Sequence, residues 1–230
     1  MLPLIILTGP TNSGKSETAL ALARKLDTEI ISADSMQVYK YFDIGTAKPS
    51  VNARQSIPHH LIDILEPDEE FNAFDFKTQA LASIHDLMNR NKIPIVVGGT
   101  ALYLKVLMQD YDCAVEISEE TRKEIQQEIL QQGVEEVHKK LQIIDPDFAE
   151  KISETDSLRI ERALGVYRET GKAFSEFHKE DSVTDTGFPI HTFILEWNRA
   201  ELYEKINQRV DDMIEAGLES EVKNILDRGY

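Results

Sequence analysis

One eight-residue run constrains this 230-residue chain more than any other feature: Gly9-Pro10-Thr11-Asn12-Ser13-Gly14-Lys15-Ser16, the pattern G-x-x-x-x-G-K-[ST]. It follows the apolar run Leu4-Ile5-Ile6-Leu7, and Lys15 opens a segment in which Ala19, Leu22, Ala23 and Leu26 recur at i, i+3, i+4 and i+7. A buried strand, a glycine-rich loop and a helix are therefore predicted in that order. Glycines let successive backbone N–H groups converge on an oligophosphate, and the helix N-terminus adds positive potential. Lys15 contributes a full charge, and the Ser16 hydroxyl is a candidate ligand for Mg²⁺. Residues 9–16 are thus expected to bind a phosphorylated small molecule, since a chance glycine-rich turn would not require the strand and helix that flank this one.

Three further runs read as strands buried on both faces: Glu29 to Ser32, Leu61 to Leu65 and Ile93 to Val97. Before the last of them, Asn72 to Asn89 has a helical pattern, with Asn72 as N-cap and Phe76, Ala80, Ile84 and Leu87 on one face. Strands alternating with helices imply an α/β fold, a P-loop NTPase-like parallel sheet flanked by helices, whose ligands collect at the carboxyl ends of the strands. The pattern changes after Leu107. From Ser118 to Lys172 the chain is charged and helical, broken at Gly133 and at Asp145-Pro146-Asp147, with no candidate strand. A small inserted helical domain is expected over 113–187, between a first core part, 1–112, and a return to the core over 188–230. Asp181 to Gly187 is polar and turn-prone, and Ile190 to Trp197 then reads as a strand rejoining the sheet. Leu202, Ile206, Val210 and Met213 line a helix ending at Gly217, and a short helix runs on to Arg228.

The single cysteine, Cys113, excludes an intramolecular disulfide framework and fits a reducing compartment. The first apolar stretch has no basic residues before it and is too short for a signal segment, and no run approaches membrane-spanning length. A soluble, cytoplasmic protein is expected. The net charge of −16 argues against a polyanionic partner. Its distribution is uneven. Acidic residues dominate Glu116 to Asp156, whereas between Gln37 and His60 the basic Lys40, Lys48 and Arg54 face only Asp43.

Asp34 ends the second predicted strand, on the same rim as the phosphate loop. A carboxylate there can hold Mg²⁺ or accept a proton from a nucleophile, and it can equally cap a turn. No other predicted strand offers an acid at its end: the fourth runs into Gly98-Gly99-Thr100, and Asp63 sits within the third. The paired glycines permit close backbone approach, and Thr100 can donate a hydrogen bond or cap the next helix. The adjacent His59 and His60 point in different directions on an extended chain, so they are assigned structural or rim roles rather than a shared metal. Arg159 and Arg162, three apart on a helix, share a face suited to phosphates; taken alone, pairing with nearby carboxylates is favoured.

Together these residues resemble the bacterial tRNA dimethylallyltransferase (tRNA isopentenyltransferase) family. The resemblance rests on the loop, Asp34-Ser35-Met36-Gln37-Val38-Tyr39, Asp43-Ile44-Gly45-Thr46-Ala47-Lys48-Pro49, Pro58-His59-His60-Leu61-Ile62-Asp63 and Gly98-Gly99-Thr100. It continues through Leu158-Arg159-Ile160-Glu161-Arg162-Ala163-Leu164, Tyr167 to Lys172, and Arg199 to Met213. It implies transfer of a dimethylallyl group from dimethylallyl diphosphate to the exocyclic amine of the adenosine 3′ of the anticodon. Lys15, Asp34 and Thr100 are then catalytic, with Asp34 as base, while residues 9–16, Arg122 and Arg209 hold the diphosphate, Arg199 being the alternative to Arg209. Asp34, Ser35, Met36, Gln37, Thr100, Arg122, Leu158, Arg159, Ile160, Glu161 and Arg162 fall where the family contacts tRNA, and Ser16 holds the Mg²⁺ cofactor. A monomer acting on the anticodon stem-loop, with no membrane partner, is implied. The sequence departs from the family at Tyr41-Phe42, Ala101 and Leu158, and family members run several helices further. Alternatives are an adenylate isopentenyltransferase acting on free nucleotide and a P-loop small-molecule kinase.

Overall fold

Among the residues described by the computed structural model, 2–109, 115–177 and 187–230, five strands form one sheet in which every pairing is parallel. They are β1 (Leu4–Thr8), β2 (Ile30–Ser32), β3 (His59–His60), β4 (Ile95–Val97) and β5 (Ile190–Ile194), in spatial order β3-β2-β4-β1-β5. β2 and β4 are buried throughout, as continuous apolar strands covered on both faces should be. The chain divides into two compact units, Met1–Met108 with Thr184–Tyr230 and Gln109–Val183.

In the sheet unit, β1 leads through the glycine-rich loop into α1 (Lys15–Leu26). Ala19 and Ala23 of that helix pack against Leu7, Ile30, Ile95 and Val97, with Leu22 and Leu26 partly buried beside them. α2 (Val51–Ser56) and α3 (Ala73–Asn89) follow. Asn72 caps α3 through a reciprocal capping box with Asp75, and Phe76, Ala80, Ile84 and Leu87 are fully buried, so this helix matches its sequence pattern. α4 (Ala101–Met108) follows β4.

The third strand differs from expectation. It occupies His59–His60 rather than Leu61 to Leu65, because Leu61 and Asp63 adopt left-handed backbone angles that no strand accommodates (φ 62° and 55°). Leu61 and Ile62 are still buried, but in a turn. Asp63 stabilises that turn by pairing with Lys48 (2.6 Å) and with Arg54. The two histidines part as an extended chain requires: His59 Nδ1 lies 2.7 Å from the Ile57 carbonyl, and His60 Nε2 lies 2.9 Å from Glu29.

The second unit consists of α5 (Glu119–Gln132), α6 (Val134–Ile144), α7 (Pro146–Ala149) and α8 (Ser157–Thr170), followed by a short 3₁₀ turn at Phe174–Phe177. Gly133, at φ 88°, ends α5, and Asp145 caps α7 before Pro146, as the two sequence breaks suggested. Its core is Ile125, Val137, Leu141, Ile160, Leu164 and Val166. Cys113, the expected boundary at 112/113 and the turn-prone stretch up to residue 186 lie outside the described residues.

Back in the sheet unit, β5 pairs with β1, and α9 (Arg199–Glu215) and α10 (Leu218–Asp227) follow. The strand expected over Ile190 to Trp197 ends at Ile194, although Leu195 N–H still donates to the Thr8 carbonyl. Phe193 and Ile194 are exposed, and no described residue of α9 is buried. No helix among the described residues is long and apolar enough to cross a membrane.

At the base of the sheet, Glu29 is nearly buried and accepts hydrogen bonds from Arg90 and Lys92, with His60 also beside it. Its carboxyl is held down to about 2, first by the Arg90 hydrogen bond, against the opposing effect of burial. A carboxylate stabilised in the folded state contributes fully above its unfolded value of 4.5 and loses that contribution as pH falls towards 2. Glu29→Gln should therefore cost about 2 kcal/mol at pH 7, the range for hydrogen bonds to charged groups. Urea unfolding of both proteins at several pH values should show the difference narrowing steadily below pH 4.5.

Candidate active site

Because all five strands are parallel, β1, β2 and β4 deliver Gly9, Asp34 and Gly98 to one rim. Two glycines make that rim possible. A Cβ on Gly9 would lie 2.6 Å from the Leu195 carbonyl oxygen, and one on Gly98 would lie 2.0 Å from that of Ala33. Both contacts are with backbone, so no side-chain adjustment could relieve them. The loop then turns through Asn12 (φ 60°) and Gly14 (φ 85°) into the first turn of α1.

Lys15 folds back over this loop, its ammonium donating to the carbonyls of Gly9 (2.9 Å) and Pro10 (2.5 Å). Burial pulls its pKa below the usual lysine value; Asp34 opposes that shift and Arg209 adds to it. A cavity of about 270 Å³ is lined by Gly9, Lys15, Ser16, Asp34, Gln37 and Gly99 among others. It shares Lys15, Ser16, Asp34 and Gln37 with a wider cleft of about 710 Å³, which Arg209 and the 43–49 loop also line. The diphosphate residues expected on this unit are therefore grouped around one hollow.

Asp34 fills the turn-capping role with one of its two carboxylate oxygens. Its Oδ1 accepts from the backbone N–H groups of Met36 (2.9 Å) and Gln37 (3.3 Å), closing a turn. Its Oδ2 meets no donor among the described residues. Thr100 stands behind this turn: its Oγ1 accepts from Ser35 N–H (3.1 Å) and donates to Ser35 Oγ (3.4 Å). Gln37 is fixed at both ends of its amide, accepting from Ser32 Oγ at 3.1 Å and donating to the Thr46 carbonyl at 3.2 Å. Met36 is exposed.

Arg209 donates to Thr11 Oγ1 (3.4 Å), whereas Arg199 lies over the Tyr203 ring and donates to its hydroxyl (3.2 Å). The structure thus brings Arg209, and not Arg199, to the loop. Sequence reasoning missed three groups nearby. Trp197 donates its indole N–H to the Ser13 carbonyl, and the Lys205 carbonyl accepts from Asn12. Glu221 on α10 accepts from the backbone N–H groups of Asp43, Ile44 and Gly45 (2.8, 2.6 and 2.9 Å), holding the loop whose Thr46 anchors Gln37. The carboxylate at position 221 lies far along the chain from these partners, so no local pattern pointed to it.

The remaining candidates lie on the helical unit. Arg122 approaches Glu161 at 3.7 Å, Glu161 also accepts from Gln126, and exposed Arg159 pairs with Asp156 at 3.0 Å. Leu158 is exposed and Arg162 is half-buried. Ile160 is corrected: it is fully buried in its own unit's core, so its side chain cannot face RNA. No cluster of three or more metal-ligating side chains occurs among the described residues. Ser16 and Asp34 nonetheless offer hard oxygen donors on the same cavity, a set that suits Mg²⁺, which takes few protein ligands and keeps phosphate oxygens and water.

A family profile described as IPP transferase matches residues 37–230. The chain is 49% identical to a tRNA dimethylallyltransferase of Alkaliphilus metalliredigens over 228 residues, spanning 99% of this chain and 73% of that one. Against tRNA dimethylallyltransferase 2 of Geotalea uraniireducens the identity is 46%, with the same coverage of both chains. Among solved structures, a tRNA delta(2)-isopentenylpyrophosphate transferase from Staphylococcus epidermidis is 38% identical with a TM-score of 0.66, covering 100% of this chain and 75% of that one. A eukaryotic dimethylallyltransferase acting on tRNA is 33% identical with a TM-score of 0.81, covering 99% of this chain and 56% of that one. With that profile over most of its length and relatives this similar across nearly all of it, the chain belongs to the IPP transferase family.

Proposed function

We propose that this protein transfers the dimethylallyl group of dimethylallyl diphosphate to the exocyclic N6 amine of the adenosine 3′ of a tRNA anticodon, acting as a cytoplasmic monomer. One observation carries the reading: Lys15, Ser16, Asp34, Gln37 and Arg209 line one cleft at the strand ends of an IPP transferase family member. The relatives' names supply the dimethylallyl group and the tRNA. The chemistry of the cleft supports the rest.

In the reaction a carbon–oxygen bond to the diphosphate breaks, a carbon–nitrogen bond forms, and the amine loses a proton. Negative charge grows on the departing diphosphate. Lys15 exchanges its two loop carbonyls for phosphate oxygens, joined by the loop N–H groups and Arg209. Mg²⁺ held at Ser16 would neutralise further charge on the leaving group. Asp34, with Oδ1 held in its turn, offers Oδ2 as acceptor for the amine proton. Gln37, fixed by Ser32 and Thr46, presents its amide edge to the target base, which must leave its stack to reach this cleft.

Three measurements test the reading. Radiolabelled dimethylallyl diphosphate offered in parallel to unmodified tRNA, AMP and ATP should label tRNA; labelling of AMP or ATP alone, or phosphoryl transfer from ATP, would replace it with one of the rival activities. Lys15→Ala should weaken donor binding about 10- to 100-fold by calorimetry, the range for lost charge-assisted hydrogen bonds. Asp34→Asn should leave both substrates bound and lower single-turnover transfer by about 10²–10⁴. Loss of donor binding in that variant would instead make Asp34 a metal-site residue.

On the helical unit, Arg159→Ala with Arg162→Ala should weaken tRNA binding and flatten its salt dependence by about one unit per lost phosphate contact. An unchanged slope in filter binding across a salt series would leave Arg159 as the partner of Asp156 and nothing more.

A further inference from the structure

The chain has one tryptophan, and its side chain is tied to the phosphate loop. The β1–β5 register determines how it gets there. Thr8 pairs with Ile194, Leu195 N–H donates to the Thr8 carbonyl at 2.8 Å, and the Leu195 carbonyl lies against Gly9. Two residues further on, Trp197 therefore emerges alongside the loop that leaves β1. Its Nε1–H donates to the Ser13 carbonyl at 2.9 Å. The Lys205 ammonium sits 3.8 Å from the centre of the indole ring, and the Lys205 carbonyl accepts from Asn12 Nδ2 at 2.6 Å. Arg209 reaches Thr11, so three consecutive loop residues are each held by the segment 197–209.

A peptide group is planar and trans, so its N–H points opposite to its C=O. The N–H covalently joined to the Ser13 carbonyl is that of Gly14, a residue that lines the cleft. Anchoring that carbonyl to the indole turns the Gly14 N–H the other way. Glycine at φ 85° is otherwise free to rotate, and reversing this peptide would present a carbonyl oxygen to an incoming anion. The indole N–H suits this task because it is donor-only and cannot reverse its polarity. We propose that Trp197 is a positioning residue for the diphosphate site, orienting the Ser13–Gly14 peptide so that the loop presents donors to the leaving group. The proposal rests on the reading of the loop as a diphosphate site, and it makes Trp197 a built-in reporter of that site's occupancy.

Inorganic pyrophosphate with Mg²⁺ is the probe, titrated against the full chain by calorimetry and by tryptophan emission. The parent's emission should change saturably, with the same dissociation constant as the heat signal, since anion binding draws charge past a ring stacked on Lys205. Trp197→Phe keeps an aromatic body under Lys205 and deletes the donor together with the five-membered ring that carries it. It should bind pyrophosphate about fivefold more weakly, the effect of one lost neutral hydrogen bond, and raise the KM for dimethylallyl diphosphate by a similar factor. The KM for tRNA and the thermal midpoint should stay near parental values. Emission that ignores bound pyrophosphate, or a Trp197→Phe protein that binds it as tightly as the parent, would overturn the positioning role. A parent that binds no pyrophosphate would overturn both this role and the proposed function. Binding with the expected emission change but no prenyl transfer would remove the proposed function alone.

Discussion

Everything at the site depends on how closely the ends of β2 and β4 approach one another. A methyl group at Gly98 would overlap the Ala33 carbonyl, and that forbidden volume is what lets Asp34 and the Gly98-Gly99 turn face each other across a single hollow. Ala33 N–H donates to the Val97 carbonyl and Thr100 N–H to the Ala33 carbonyl, so the two strands remain joined beyond their last paired residues. The Thr100 hydroxyl then continues the seam to Ser35. Viewed this way, Thr100 holds the turn that carries the proposed base, and its hydroxyl is already engaged on both sides. Lys15 arrives in the same space from β1, and its desolvation there strengthens every charge interaction it makes.

What was legible in the sequence was what short-range chemistry decides. The phosphate loop, the Asn72 cap, the Gly133 break and the Asp145-Pro146 start are each specified within a few residues, and each forms where its pattern lies. The third strand was misread because Leu61 to Leu65 is apolar enough for a strand, while its turn is stabilised by Lys48 and Arg54, which an apolar count does not register. Trp197 and Glu221 were missed for a related reason: their partners lie 184 and 176 to 178 positions away. Ile160 was carried into the RNA-contact set by its neighbours in the motif, but helical geometry turns it inward while Leu158 and Arg159 stay exposed.

An acidic chain acting on RNA needs its positive charges placed where the RNA passes. On the helical unit several basic groups are held by the unit's own carboxylates: Arg168 by Glu124 and Glu128, Lys140 by Glu128, Arg159 by Asp156. The exposed Arg159 pair contributes little to stability, so exchanging its carboxylate partner for a phosphate costs little. The arrangement keeps these side chains ordered and makes any contact with RNA a competition between anions. Strong non-specific attraction to polyanions is thereby weakened on this unit.

The Glu221 carboxylate in its three-donor backbone nest has a consequence for how the protein is made. Synthesis proceeds from the N-terminus, and the first 108 residues already contain the phosphate loop, Asp34, Gln37 and the Gly98-Gly99 turn. The groups that hold those loops in shape, the Trp197 indole, the Arg209 guanidinium and finally the Glu221 carboxylate, leave the ribosome only after the whole helical unit. A nascent chain therefore carries the candidate site residues before it carries their supports. Until α10 emerges, the amides of Asp43, Ile44 and Gly45 lack the Glu221 carboxylate that gathers them, and the wall bearing Gln37 lacks that support.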